Sequence, residues 1–386
     1  MNDQNIPFGR PMIDESEINA VINVLSGPTL VHGQITKEFE RSFAERVGVE
    51  HAISVSSCTA GLHLSLFSNN IGPGDEVLVP AMTHVATAHS VEYCGATPIF
   101  VDVEDFSGNI NHNAIPDLIS DKTKAAIVVH YLGLPCEMDS ILSITNSREI
   151  FVIEDCALAI DAKYGDKNAG NLGLTGCFSF YPIKHMTSVE GGMVTTNDDN
   201  IAKQIYQRRA FGYDQALNQR SMPGIYDVST LGYNYRMNEI EAAIGLSQLA
   251  KLDKFQKIRS TNYNNLMDGL SSVEEITLFE PSQGKAKSSH YCFNAVLPRD
   301  GSINRSDIIK TLNENGIGTS VHYPKAVPMF SYYRNKYGFE EGQFPIAEWI
   351  SNQTISLPVA PHVQTEDINR IVKVFKKALI DFRKTN

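Results

Sequence analysis

The stretch from Phe151 to Thr196, FVIEDCALAIDAKYGDKNAGNLGLTGCFSFYPIKHMTSVEGGMVTT, holds the two residues best suited to work as a chemical pair, Asp155 and Lys184. Phe151, Val152 and Ile153 form a short apolar run that reads as a buried strand, ended by Glu154 and Asp155. A carboxylate there costs free energy unless it meets a partner. At the C-terminal end of an inner strand of an open α/β sheet, that partner is a bound cation or a protonated ring. Cys177 to Phe180 reads as a second strand, and Lys184 follows it in a segment poor in other charges. The pair suits pyridoxal phosphate chemistry, in which a lysine amine holds the cofactor as a Schiff base and an acid keeps its pyridine nitrogen protonated. Taken singly, Asp155 is a helix cap or turn residue and Lys184 a solvated surface group. Their company favours the chemistry: Ser179 and Phe180 before the lysine, Glu190-Gly191-Gly192 after it, and a phosphate-type loop upstream.

That loop, Ser56-Ser57-Cys58-Thr59-Ala60-Gly61, joins an expected strand to an expected helix, so its amides and hydroxyls converge on an anion at a helix N-terminus. Simple N-capping by Ser57 or Thr59 is the plainer account of the same residues. Glu190-Gly191-Gly192 reads as a tight turn with close backbone approach, which needs no chemistry from Glu190.

The elements that must position these residues alternate from His51 onward: HAISVSS, a helix from Thr59 to Phe67, EVLVP, a helix around Ala86 to Tyr93, TPIFVDV, AAIVVHYLG and FVIED. The alternation predicts a mostly parallel sheet covered by helices on both faces. Before it, Asp14 to Leu25 carries Ile18, Val21, Ile22 and Leu25 at helical spacing, a face expected to lie on the body of the protein, and Thr36 to Val47 repeats the pattern through Phe39, Phe43 and Val47. A helix is expected over Met237 to Phe255, with charge rising through KLDKFQKIRS, and the domain boundary is placed there: residues 1–256 as a large cofactor-binding domain, 257–386 as a small α+β domain. In the latter, HYCFNAVL and IGTSVHYP read as strands, Arg305 to Asn315 and Glu366 to Phe382 as helices.

With 386 residues, 42% hydrophobic and 20% charged, the composition is that of a globular protein long enough for two domains. A formal charge of -11 argues against a broad nucleic-acid surface. Cysteines at 58, 94, 136, 156, 177 and 292 form no CxxC pair, so neither a metal site nor a disulfide framework is expected. No stretch approaches a membrane span, and a soluble cytoplasmic protein is expected.

SSCTAGL, PAMTHVATA, EDCALAIDAKYG, FSFYPIKHMTSVEGG and GYNYRMNEIEAAIGLSQL, in this order, resemble successive motifs of the DegT/DnrJ/EryC1/StrS aminotransferases. The resemblance runs from about Pro7 to about Pro358 and implies a fold-type I, pyridoxal-phosphate-dependent α/β transferase with a smaller C-terminal domain. It implies that Lys184 forms the Schiff base and moves the proton between cofactor and substrate carbons, and that Asp155 pairs with the pyridine nitrogen. Ser57, Cys58, Thr59 and Ser179 would hold the phosphate, and His84 would stack on the cofactor. Asn234 would reach the phosphate of a neighbouring subunit, making a homodimer with shared sites. His322 would lie near substrate; His185, beside the lysine, is a candidate substrate contact without a catalytic role. Two departures stand out: Leu158, where the family usually has Gln or His, and Asp161, where it often has Gly.

The activity so implied is transfer of an amino group, from L-glutamate, to the keto group of a nucleotide-linked deoxysugar, as in surface polysaccharide or glycoconjugate synthesis. Its rivals are dehydration of a keto sugar, which does without the lysine, transfer to a small phosphorylated ketone, and a non-catalytic cofactor-binding regulator, which would carry an additional basic DNA-binding domain.

Overall fold

The structure is a computed structural model that describes residues 5–214, 222 and 225–385. The chain opens with α1 (Glu15–Ser26) and α2 (Gln34–Val47), then enters β1 (His51–Val55), α3 (Cys58–Ser68), β2 (Glu76–Pro80), α4 (Val85–Tyr93), β3 (Thr97–Val101), α5 (Ile115–Leu118), β4 (Thr123–Val129), α6 (Met138–Asn146) and β5 (Phe151–Asp155). A small ribbon of β6 (Lys163–Tyr164) and β7 (Lys167–Asn168) precedes β8 (Thr175–Ser179) and β9 (Gly192–Thr196). These strands build a seven-stranded sheet of order β1-β9-β8-β5-β4-β2-β3, in which β9 alone runs antiparallel to its neighbours β1 and β8. The expected mixed, mostly parallel sheet is therefore present. Because β1, β5 and β8 run the same way, Ser57, Asp155 and Ser179 all emerge at one edge, and β9 begins there with Gly192 opposite both Val55 and Ser179.

Aromatic packing fixes the strand that leads to Lys184. Phe43 of α2 lies 5.0 Å from Phe178 and 5.4 Å from Phe180, and Phe39 lies 5.2 Å from Phe180, all four fully buried. Each such ring contributes roughly 1.5–3 kcal/mol through burial, so α2 holds β8 and the start of its loop.

After α7 (Asp199–Arg208), α8 (Glu239–Leu249) and α9 (Leu252–Leu270) replace the single helix expected over Met237 to Phe255. The Asn238–Glu241 capping box starts α8, and the chain turns at Ala250 and Lys251 before resuming. The expected boundary at Lys257 falls inside α9, whose Leu252 and Phe255 are buried near the sheet while Tyr263, Leu266 and Leu270 enter a second core. That core holds Phe293, Ile355, Ile371 and Phe375, supplied by β13 (Phe293–Val296), β14 (Thr354–Leu357) and α13 (Thr365–Thr385), after the short β10 (Thr277–Leu278), β11 (Ser282–Gln283) and β12 (Ala286–Lys287). Ile6 also joins it, and α10 (Arg305–Glu314) covers it through Ile308 and Leu312. Residues of α11 (Ser331–Tyr337) and α12 (Pro345–Gln353) turn back, burying Tyr333, Ala347 and Ile350 in the core of the large sheet with Val79 and Phe100. IGTSVHYP is not a ladder strand as expected: among the described residues it makes only the isolated bridges Ile6 to Ile317 and Ser320 to Ser356.

The expected core face of α1 is also corrected. Ile18, Ile22 and Leu25 are 53%, 52% and 58% exposed, whereas Glu17 and Val24 are buried. Glu17 can face inward because Lys251 and Gln248 of the α8–α9 region satisfy its carboxylate. Among the described residues no helix is long and apolar enough to cross a membrane, and all six cysteines are free.

Candidate active site

Alternation along β5 sends its two terminal carboxylates to opposite faces. Glu154 accepts from the amides of Gly170, Leu172 and Gly173 and from His130 Nε2. His130 Nδ1 accepts from the Cys136 amide, so the ring proton is on Nε2. His130, Glu154 and Cys156 place ligand-type atoms within 4.8 Å of one another. The bonds above, however, occupy both imidazole nitrogens and both carboxylate oxygens, which accounts for the cluster without an ion.

Asp155, 5% exposed, points into the other face. Its Oδ2 accepts from Thr87 Oγ1 at 2.8 Å, and its Oδ1 from the Ala157 amide at 3.1 Å. Thr87 spends its proton on the carboxylate, so Thr83 Oγ1, 2.8 Å away, must donate to Thr87. The acid is thus oriented by a two-hydroxyl relay from the PAMTHVATA segment. Cys58 Sγ lies 3.9 Å from Oδ1.

Lys184 sits in the loop between β8 and β9. Phe180 closes that loop: its amide donates to the Gly191 carbonyl, and its own carbonyl accepts from Ser188 N and Thr187 Oγ1. Gly192 is required by close approach, since a Cβ there would lie 2.5 Å from the Ser57 carbonyl carbon and 2.6 Å from the Cys58 nitrogen. This matches the expectation for the double glycine. Arg259, buried, holds the carbonyls of Lys184 and Tyr291. The Lys184 amine lies 5.2 Å from the centroid of the Tyr291 ring, and desolvation lowers its pKa while Cys58 and Asp155 act in the opposite sense. A lowered pKa raises the neutral, nucleophilic fraction of the amine.

At the head of α3, Ser57 Oγ caps the Ala60 amide at 3.1 Å, as the plainer reading of that loop anticipated. The first-turn amides of Cys58 and Thr59 have no protein acceptor among the described residues, and a helix N-terminus with free amides suits a phosphate. Ser179 accepts weakly from the Tyr181 amide at 3.4 Å. His84 caps α4 through Nδ1 and faces Tyr323, ring centroids 6.0 Å apart; partial desolvation and the Lys184 charge lower its pKa. His322 is buried against Phe8, Tyr291 and Tyr323. The structure therefore gathers Cys58, His84, Asp155, Lys184 and His322, with Ser57, Thr59 and Ser179 on the same sheet edge.

One expected residue lies elsewhere, and Asn234, expected in a partner's site, does not join this one. His185 is 2% exposed and donates from Nε2 to the Ser289 carbonyl at 3.0 Å, so it contributes packing and a backbone contact. Asn234 is exposed, in a segment bridged to Ala210, and makes no hydrogen bond to the Asp155–Lys184 group among the described residues. Sequence reasoning did not single out Thr83, Thr87, Tyr291, Tyr323 or Arg259. Thr87 lies in the PAMTHVATA segment, but nothing local to that segment marks its hydroxyl as the partner of Asp155. Of the departures, Leu158 is buried core, 2% exposed. Asp161 has φ of 64°, the left-handed region that glycine favours, and pairs with Arg46 through both carboxylate oxygens.

An amine of lowered pKa, a locked acid and an anion cradle, each on a different loop of one sheet edge, divide the work that pyridoxal phosphate demands of a protein. The molecule is a pyridoxal-phosphate-dependent aminotransferase of fold type I. Residues 11–376 match the model of the DegT/DnrJ/EryC1/StrS aminotransferase family, and the chain belongs to that family. It is 34% identical over 376 residues to the spore coat polysaccharide biosynthesis protein SpsC of Bacillus subtilis, covering 96% of each chain. Among solved structures it resembles Spr1654 of Streptococcus pneumoniae in its PMP form, with TM-score 0.92 and 27% identity over 98% of this chain and all of that one; Spr1654 is also solved in a PLP form. It likewise resembles Helicobacter pylori PseC, an aminotransferase involved in the biosynthesis of pseudoaminic acid, with TM-score 0.90 and 28% identity over 97% of this chain and 99% of that one.

Proposed function

We propose that the protein transfers an amino group from L-glutamate to the keto group of a nucleotide-linked deoxysugar, in the cytoplasm, for a surface polysaccharide or glycoconjugate. The observation that carries the reading is Lys184, half-buried and partly desolvated on the same sheet edge as the buried Asp155. The sugar chemistry is supported by the names of SpsC and PseC. Bound pyridoxal phosphate supplies the electron sink that lets an amino group leave one carbon and reach another. The chain supplies the rest. Asp155, aimed by Thr87, would face the ring nitrogen, Cys58 and Thr59 would offer amides to the phosphate, and Lys184 Nζ would carry the proton between the substrate carbon and the cofactor carbon in each half-reaction. Lysine at this position disfavours the keto-sugar dehydratase reading.

The experiment is a screen of keto sugar nucleotides against enzyme first converted by glutamate to its pyridoxamine form, following cofactor absorbance. Return to the pyridoxal form with one of them is the expected result. Return only with a small phosphorylated ketone replaces the sugar, and failure of glutamate to convert the enzyme replaces the donor.

The active unit is proposed to be a homodimer with Asn234 serving the partner's phosphate. Exposed apolar side chains support this: Ile18, Ile22 and Leu25 of α1, Leu30 and Val31 beyond it, and Ile225, Val228 and Leu231 near Asn234. A mixed dimer of Lys184→Ala and Asn234→Ala chains carries both lesions in one site and neither in the other, so it should recover up to about half of wild-type activity. Activity no higher than the mean of the parent dimers contradicts the shared site.

A further inference from the structure

Behind the Lys184 site, Tyr131, Asn294, Ser356 and His322 form a buried polar chain, respectively 1%, 4%, 0% and 7% exposed. Asn294 of β13 and Ser356 of β14 face each other across the second sheet, Tyr131 follows β4, and His322 belongs to the VHYP segment. The donor of every bond in this chain can be deduced from its first member. The Tyr131 hydroxyl bonds the backbone carbonyl of His322, and a carbonyl only accepts, so Tyr131 donates. The Asn294 atom 3.0 Å from that hydroxyl must then be its NH2, which also reaches Thr354 Oγ1 at 2.7 Å. This leaves Asn294 Oδ1 as the acceptor facing Ser356 Oγ at 2.6 Å, so Ser356 donates to it. Ser356 has no second proton. The 2.9 Å bond between Ser356 Oγ and His322 Nδ1 therefore requires the proton on Nδ1.

We infer that the relay of Tyr131, Asn294 and Ser356 fixes His322 as the neutral Nδ1–H tautomer, presenting the Nε2 lone pair as an acceptor for a hydroxyl of the incoming keto sugar. The substrate half of this inference rests on the function proposed above; the tautomer does not. Nε2 has no hydrogen-bond partner among the described residues, and the ring lies close enough to Lys184 for that charge to disfavour its protonation. The neighbouring groups agree: Phe8, Tyr291 and Tyr323 enclose the ring, the Cys292 thiol lies 4.0 Å from Nδ1, and among the described residues no carboxylate bonds it. Tyr131, Asn294 and Ser356 act through His322 and are positioning residues. A histidine locked in this state selects a hydrogen-bond donor, a hydroxyl, over a keto or ether oxygen at the same place.

The test is nitrogen NMR of the cofactor-loaded enzyme labelled with 15N-histidine, the His322 signal being assigned by its loss in His322→Gln. The expected spectrum is that of a neutral imidazole protonated at Nδ1, unchanged through the range where free histidine titrates. Ser356→Ala should move the signal toward the Nε2–H tautomer, and Ser356→Thr, which restores a hydroxyl, should return it. A wild-type signal protonated at Nε2, or a Ser356→Ala signal identical to wild type, overturns the tautomer. With a thymidine-diphosphate keto-deoxyhexose as acceptor probe, Ser356→Ala should raise the acceptor KM about tenfold, as expected for one hydrogen bond in a dry site. A shifted tautomer with unchanged KM overturns the substrate contact. If wild-type enzyme turns over no keto sugar nucleotide, the proposed function fails while the spectrum still decides the tautomer.

Discussion

Glu154 and Asp155 are adjacent carboxylates at the end of one strand, both buried, yet the chain uses them oppositely. Glu154 is spent: three loop amides and His130 occupy its oxygens and tie residues 170–173 to the sheet. Asp155 takes one amide, one hydroxyl and a long contact from the Cys58 thiol, is held in orientation, and faces the lysine side of the sheet. The difference teaches that burial alone does not mark a reacting acid. What marks it is the inventory of its partners: a structural acid is surrounded by donors that need it, a working acid by groups that aim it.

Exchanging the two lesions is the largest expected effect. Asp155→Asn should lower the rate of the glutamate half-reaction by about 100- to 10,000-fold, the range expected for a proton-positioning group, with little change in the denaturation midpoint. Glu154→Leu should do the reverse, stranding three amides and the His130 N–H and costing about 3–5 kcal/mol of stability. Urea unfolding and stopped-flow absorbance on both variants decide it. Equal stability losses would erase the distinction.

Next in size is Thr87→Val, which keeps the shape of the side chain and removes the donor to Asp155 Oδ2. A hydrogen bond to a charged group contributes about 1.5–3 kcal/mol, so activity should fall roughly 10- to 100-fold, with Thr87→Ser restoring most of it. A change in the pH dependence of the cofactor absorbance should accompany the loss, because the relay acts on Asp155 and not on substrate.

Much of this was legible in the sequence. The apolar run ending in two acids, the alternation after His51 and the glycines after Lys184 gave the sheet and its working edge, because each is a local rule. What was not legible depends on distant partners. The face of α1 was assigned inward on periodicity, yet Lys251 and Gln248, more than 200 residues away, make Glu17 the buried residue and leave Ile18, Ile22 and Leu25 outside. Thr87 stayed hidden for the same reason, since nothing local says that its hydroxyl meets Asp155, 68 residues later.

Buried histidines with no acid partner among the described residues should make the fold acid-sensitive. Burial lowers the His322 pKa to about 3, and those of His63 and His290 to about 4. Their unfolded value is near 6.5, so between about 3 and 6.5 the unfolded state binds more protons, and stability falls as pH drops through that window. His322→Gln should flatten the slope by up to about 1.4 kcal/mol per pH unit, read from urea midpoints on either side of pH 5. An unchanged slope would mean that His322 is protonated in the folded state.

The smallest effect belongs to a third carboxylate of the same stretch, Asp161. It bonds Arg46 at 2.8 and 2.6 Å, but the pair is 24% and 20% exposed, and Arg46 also reaches Asp253. Solvent screening and the second partner limit its contribution to about 0.5–1 kcal/mol. Asp161→Asn tolerates the left-handed backbone and should cost no more than that. Asp161→Gly, the residue common in the family, relieves the backbone while losing the pair, so the two effects should nearly cancel. Asp161→Val loses the pair and forces a β-branched residue to φ of 64°, adding about 1–2 kcal/mol. The order Gly, then Asn, then Val in thermal stability is the expected outcome. Were Asp161→Asn to destabilise as strongly as Glu154→Leu, partner inventory and exposure would no longer rank the three acids.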